Sequence, residues 1–135
     1  IRKLSIPSHL TKICEYAFSY CISLSQIDIP NNSELQVIEK CAFTHCSIES
    51  FTIPLSLTKI GEKAFSHCSL KSFAIPASIQ AISENLFDNC WNLVLIEIDE
   101  NMDLKCIHLK DFKLNDRIII LIQPKMIERI ALASS

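Results

Sequence analysis

Residues 48–70 read IESFTIPLSLTKIGEKAFSHCSL, and this stretch decides the fold. Phe51 and Ile53 alternate with polar neighbours behind Ile48, the pattern of a short strand with one buried face. Pro54 follows and stops the strand, because proline has no N–H to give to a further ladder rung. Leu57 and Ile60 come three and six residues after the proline. Ala64, Phe65 and Cys68 then show an i, i+1, i+4 spacing, which predicts one short helical or 3₁₀ turn.

Working outward, the same phrase recurs on both sides. Ile13–Phe18–Cys21, Ile38–Phe43–Cys46, Ile60–Phe65–Cys68 and Ile82–Phe87–Cys90 repeat at distances of 25, 22 and 22 residues. Counted from the first apolar strand position, units begin at Ile1, Leu24, Ile48, Leu70, Leu93 and Ile118. All five prolines (Pro7, Pro30, Pro54, Pro76, Pro124) share one column, with Asp99 in their place in the fifth unit. One apolar pattern at this period marks a solenoid, in which each unit buries its apolar side chains only against its neighbours. The expected units are 1–23, 24–47, 48–69, 70–92, a degenerate 93–117 and a partial 118–135. In the fifth, Ile107 and Phe112 keep their spacing while Asp111 and Asn115 replace the alanine and cysteine. The sixth fades after Ile127 and Ile130, with Ser135 where a phenylalanine is due. Six parallel strands stacked about 4.8 Å apart would span on the order of 25 Å. Each unit supplies about six apolar side chains, each worth roughly 1.5–3 kcal/mol when fully buried.

Composition excludes several functions. The net charge of −2 gives no electrostatic reason for nucleic acid or an anionic membrane as partner. Gly61 is the single glycine, so no phosphate-cradling glycine-rich loop can be built. The longest apolar run, Ile118 to Ile122, is too short to span a bilayer. Because Ile1 already lies inside a repeat, the chain reads as a piece of something longer.

Four of the seven cysteines (Cys21, Cys46, Cys68, Cys90) hold one repeat column, and Cys14, Cys41 and Cys106 lie outside it. A stack spaced about 4.8 Å is wider than the roughly 3.8 Å that a disulfide needs between Cβ atoms, so buried free thiols are expected. His45-Cys46 and His67-Cys68 repeat at 22 residues, but adjacent residues point apart and no third group orients them. Neither a metal site nor a nucleophile is read from them, and Tyr20 and Asn89 in the same column mark a surface position. Asp99-Glu100 and Asp103 read as a solvated turn, since nothing builds the cleft that paired carboxylates need. Asn31-Asn32-Ser33 is a glycosylation sequon lying in the two extra residues of the second unit, hence on a loop.

The string Leu/Ile-x-x-(Ile/Phe)-x-Ile-Pro-x-x-Leu-Thr-x-Ile-Gly-x-x-Ala-Phe-x-x-Cys-x-Leu, nearly complete in residues 48–70, resembles the BspA-like, Treponema-type leucine-rich repeats of bacterial and protozoan surface antigens. The resemblance covers residues 1–112 and, more weakly, 113–130. It implies a β-rich leucine-rich-repeat solenoid of the α/β class: a right-handed coil with a parallel sheet on its concave face and short helical or 3₁₀ turns on the convex side. It also implies a protein ligand, cell-surface display and adhesion, with no cofactor and no enzymatic role. An intracellular scaffold or a structural spacer are the alternatives.

On such a sheet the residues flanking the central apolar position face outward. One column is then Lys3, Gln26, Ser50, Ser72, Leu95 and Ile120, and the other Ser5, Asp28, Thr52, Ala74, Glu97 and Ile122. These twelve are the candidate partner-binding residues, polar at one end and apolar at the other. A last strand shifted by one residue would bury Ile120 and Ile122 instead, or a further unit would cover them.

Overall fold

The computed structural model describes residues 1–83, 85–102 and 118–123. The expectations for Asp103, Cys106, Ile107, Asp111, Phe112, Asn115, Pro124, Ile127, Ile130 and Ser135 lie outside the described residues. Among the described residues nine strands follow in order: β1 (Lys3–Ser5), β2 (Lys12–Ile13), β3 (Gln26–Asp28), β4 (Val37–Ile38), β5 (Lys59–Ile60), β6 (Ser72–Ile75), β7 (Ala81–Ile82), β8 (Leu95–Asp99) and β9 (Ile119–Gln123). Every pairing among them is parallel, the signature of a coil whose turns stack on one another.

The strand-and-proline half of each unit builds the main sheet, but as two pieces, β1-β3 and β6-β8-β9, rather than one stack of six strands. Residues 50–53 form no strand, although Phe51 and Ile53 still point into the core at 7% and 1% exposure. The break coincides with a change in the connector from cysteine to next strand. Two residues separate Cys21 from Leu24 and Cys90 from Leu93, and those coils pair; one residue separates Cys46 from Ile48 and Cys68 from Leu70, and those do not. One residue fewer removes about 3.3–3.6 Å of reach, most of the spacing between neighbouring strands.

A second ladder, β2-β4-β5-β7, stacks the Ile13, Ile38, Ile60 and Ile82 positions in register. Its two-residue strands are too short to show alternation, so the sequence displays only their inward isoleucines.

The third side is a correction to the expected helical turn: no helix occurs among the described residues. Ala17, Ser19 and Cys21 do donate back three residues, to Cys14, Tyr16 and Phe18. However, Tyr16 and Tyr20 both have φ of 60°, as do the equivalents Cys41 (55°), His45 (60°), Lys63 (55°), His67 (57°), Asn85 (60°) and Asn89 (58°). A left-handed residue every fourth position makes a string of tight turns and forbids a continuous right-handed helix. The freed N–H groups serve the next coil. Tyr16, Phe18 and Tyr20 donate to Lys40, Ala42 and Thr44 at 3.0, 2.8 and 2.8 Å, and Cys41, Phe43 and His45 donate to Glu62, Ala64 and Ser66 at 2.9, 2.9 and 3.0 Å. This inter-coil ladder offsets the strain of the positive φ angles.

The core lies between the three ladders. Phe43 and Phe65 are fully buried and stack at 5.5 Å, with Phe18 on Phe43 at 5.5 Å. The column cysteines close this side: Cys46, Cys68 and Cys90 donate their thiols to the carbonyls of Phe18, Phe43 and Phe65 at 3.2, 3.1 and 3.0 Å. The six cysteines described are free. Burial, above all, pushes the thiols of Cys46 and Cys90 up to about 11 and raises that of Cys68 as well, so each stays a neutral donor.

Candidate functional site

The outer face of the main sheet carries the residues singled out from the sequence. Lys3 pairs with Gln26 and Ser5 with Asp28 across β1 and β3. Lys3 Nζ lies 2.9 Å from Asp28 Oδ2, and Gln26 Nε2 donates to Asp28 Oδ1 at 3.3 Å. The Lys3 ammonium holds the Asp28 carboxyl below its ordinary value of 3.8. Ser50 and Thr52 are exposed on the segment between the two sheet pieces. Ser72 and Ala74 then pair with Leu95 and Glu97 across β6 and β8. The face therefore passes from a charged end, through small polar residues, to an apolar end.

That apolar end is one residue out of place relative to the sequence reading. β9 pairs Ile119 with Leu95, Ile120 with Ile96, Leu121 with Glu97 and Ile122 with Ile98. Ile96 and Ile98 are core residues, so the register puts Ile120 and Ile122 in the inward columns and Ile119 and Leu121 outside; Ile120 packs against the core, whereas Ile122 at the strand end stays 61% exposed. A strand's side chains alternate, so this slip exchanges faces. Ile119 and Leu121 are 59% and 40% exposed, next to half-buried Leu95 and to Val94 at 49%.

Other groups from the sequence are placed as follows. Asp99 is not solvated: it is 1% exposed, and its Oδ1 accepts from Asn101 N at 2.8 Å, capping the turn that replaces proline. Glu100 is exposed. Asn31 sits in an exposed turn that Ser33 N closes on the Pro30 carbonyl at 3.0 Å. No three His, Cys, Asp or Glu side chains converge as a metal site among the described residues.

The column that the sequence marks as a surface position lies on the convex turns and is more ordered than that. Tyr20, His45 and His67 stack face to face, with centroids 4.2 and 4.0 Å apart and rings within 10° and 12° of parallel. His67 Nε2 is hydrogen-bonded to the Asn89 amide at 3.0 Å. The stack follows from the ladder beneath it, which fixes these equivalent positions one coil apart. It borders an open groove of about 260 Å³ whose far side carries Tyr16 and Lys63. In its floor, the Thr44 and Ser66 hydroxyls bond each other at 2.6 Å. Desolvation first, and then the neighbouring His67, lower the pKa of His45 below its ordinary 6.5. The signal was in the sequence as one column of ring and amide side chains, but it reads there only as a surface position.

Comparison with known proteins agrees with this architecture. The BspA type leucine rich repeat region matches in 6 copies over residues 1–103 and 36–132. A leucine-rich repeat protein of T. pallidum is 25% identical with a TM-score of 0.71, over 92% of this chain and 57% of its own. One from Bacteroides ovatus is 24% identical with a TM-score of 0.63, over 92% of this chain and 38% of its own. The chain thus spans well under two thirds of either solved structure. A sequence search of curated proteins gives no match. No helix among the described residues is long and apolar enough to cross a membrane. The stacked parallel ladders and the matching repeats together place the chain in the BspA-type leucine-rich-repeat family, whose coils serve as interaction or structural modules rather than, typically, as enzymes.

Proposed function

We propose that this solenoid is the protein-binding part of a cell-surface adhesion protein and that it binds through the outer face of the main sheet. The observation that supports this most directly is the contrast between the two faces of the same strands. The inward columns hold Ile, Leu or Phe in nearly every unit, whereas the outward columns run from a Lys3–Asp28 ion pair to exposed Ile119 and Leu121. An apolar patch rimmed by polar side chains is the composition of an interface centre with its edge. Surface display rests on the family's likeness to surface antigens. The six free thiols favour a second reading, an intracellular scaffold using the same face.

The test is surface plasmon resonance of the chain against a panel of extracellular-matrix and serum proteins. Ligands that bind should lose at least tenfold in affinity when Ser50, Thr52 and Ser72 become Glu and Leu121 becomes Lys. Unchanged binding by that variant would remove the face from consideration. Labelling of the full-length protein by an impermeant reagent on intact cells separates the surface and scaffold readings.

A further inference from the structure

We propose that the convex groove beside the Tyr20–His45–His67 stack is a second ligand site, for a neutral saccharide of one or two rings. The wall is already organised: three rings packed at 4.2 and 4.0 Å cannot turn independently, so they present their edges in a fixed line. Asn89 extends that line through its bond to His67. Binding therefore costs little side-chain ordering on this side. The floor is equally settled, because Thr44 and Ser66 satisfy each other at 2.6 Å and also bond the Ser66 carbonyl through Thr44.

Charge and size choose the ligand class. The groove is lined by one cation, Lys63, and one anion, Asp88, and His45 resists protonation beside His67. With no net positive field, phosphate, sulfate or carboxylate ligands gain nothing here. The open, amide- and hydroxyl-bearing surface does not suit an acyl chain either. At about 260 Å³ the space falls just below the roughly 300–1,000 Å³ of sites for drug-sized ligands, so the guest is small. With His45 Nδ1 on the Thr44 hydroxyl at 3.1 Å and His67 Nε2 on Asn89, a sugar ring offers hydroxyls to Asn89, Asp88 and the remaining imidazole nitrogens, and C–H groups to the exposed rings of Tyr16 and Tyr20. The expected affinity for so small a ligand on an open surface is on the order of millimolar.

Histidine-ring NMR resonances of the intact chain, titrated with maltose, with N,N′-diacetylchitobiose and with sodium sulfate, test this. At least one saccharide should shift the His45 and His67 signals saturably, and sulfate should neither do so nor compete. The variant His67→Asn keeps a residue that tolerates the left-handed backbone, as Asn89 does in the same column. It should weaken binding at least tenfold with an unchanged melting temperature, and Tyr20→Asn should do likewise. The face-altering variant of the main sheet should bind saccharide normally, so the two sites fail independently. No saturable shift with either saccharide, undiminished binding by His67→Asn, or displacement by sulfate would each overturn the proposal.

Discussion

Replacing Phe65 by alanine tests how the coils hold each other. Phe65 is fully buried and touches three other rings: Phe43 stacked at 5.5 Å, Phe51 tilted at 4.9 Å and Phe73 tilted at 5.5 Å. These rings come from the second, third and fourth units, so the deletion opens a cavity shared by three coils. A buried Phe→Ala change costs about 3–5 kcal/mol, and three ring pairs, each worth about 0.5–1.5 kcal/mol beyond area, place this one at the upper end. A chain of this length has roughly 7–20 kcal/mol of stability at about 0.05–0.15 kcal/mol per residue, so the loss is a large share. Phe18 is the internal control. It is only half-buried and its one ring contact among the described residues is Phe43, so Phe18→Ala should cost about half as much. Urea unfolding followed by far-UV circular dichroism is the assay; the single tryptophan, Trp91, is 73% exposed and would report poorly. Equal costs for Phe65→Ala and Phe18→Ala would refute the reasoning, because burial and ring contacts would then not set the energy.

Three further outcomes are expected. At Gly61 a Cβ would come within 2.6 Å of Lys40 N and 2.8 Å of the Glu39 carbonyl carbon, so Gly61→Ala should destabilise by about 1–3 kcal/mol; a melting temperature equal to wild type would contradict the close packing of those two coils. Brief alkylation of the native protein should modify exposed Cys14 and spare Cys46, Cys68 and Cys90, since raising a thiol from 9.0 to about 11 cuts its thiolate about a hundredfold; mass spectrometry showing equal labelling would contradict it. The same shift has a sign for stability. The unfolded thiols lose protons from about pH 9 while the folded ones hold them to about 11, so stability falls as pH rises through that window.

The repeat was legible because the inward residues of successive coils meet their own equivalents. Leu24, Ile48, Leu70 and Leu93 each sit in the same environment, so similar side chains recur, and all four are at most 1% exposed. The outward strand positions up to Glu97 were legible for the complementary reason, that the pleat alternates and the other half of each strand must face out. The convex turns were misread because i→i+3 hydrogen bonds are common to a helical turn and to a left-handed turn. Nothing in Tyr16, Cys41 or Lys63 as residue types announces a φ near +60°, as glycine would. The last strand has two possible registers in the sequence because Ile118 to Ile122 is apolar throughout, and a pattern without alternation selects neither; the pairing with β8 selects the shifted one.

By itself, then, the sequence determined that this chain coils, how long each turn is and which side chains fill the core, because burial acts on each unit in the same way. Tertiary structure alone decided what each coil does to the next. The sheet breaks around residues 50–53 where the connectors shorten, Ile119 and Leu121 face outward because β8 sets the register of β9, and Tyr20, His45 and His67 align as one stack. These are contacts between residues 22 to 25 positions apart, and their geometry depends on the tether and the stacking of whole coils. The core was written in the residue types; both candidate binding surfaces took their form from the way the coils are stacked.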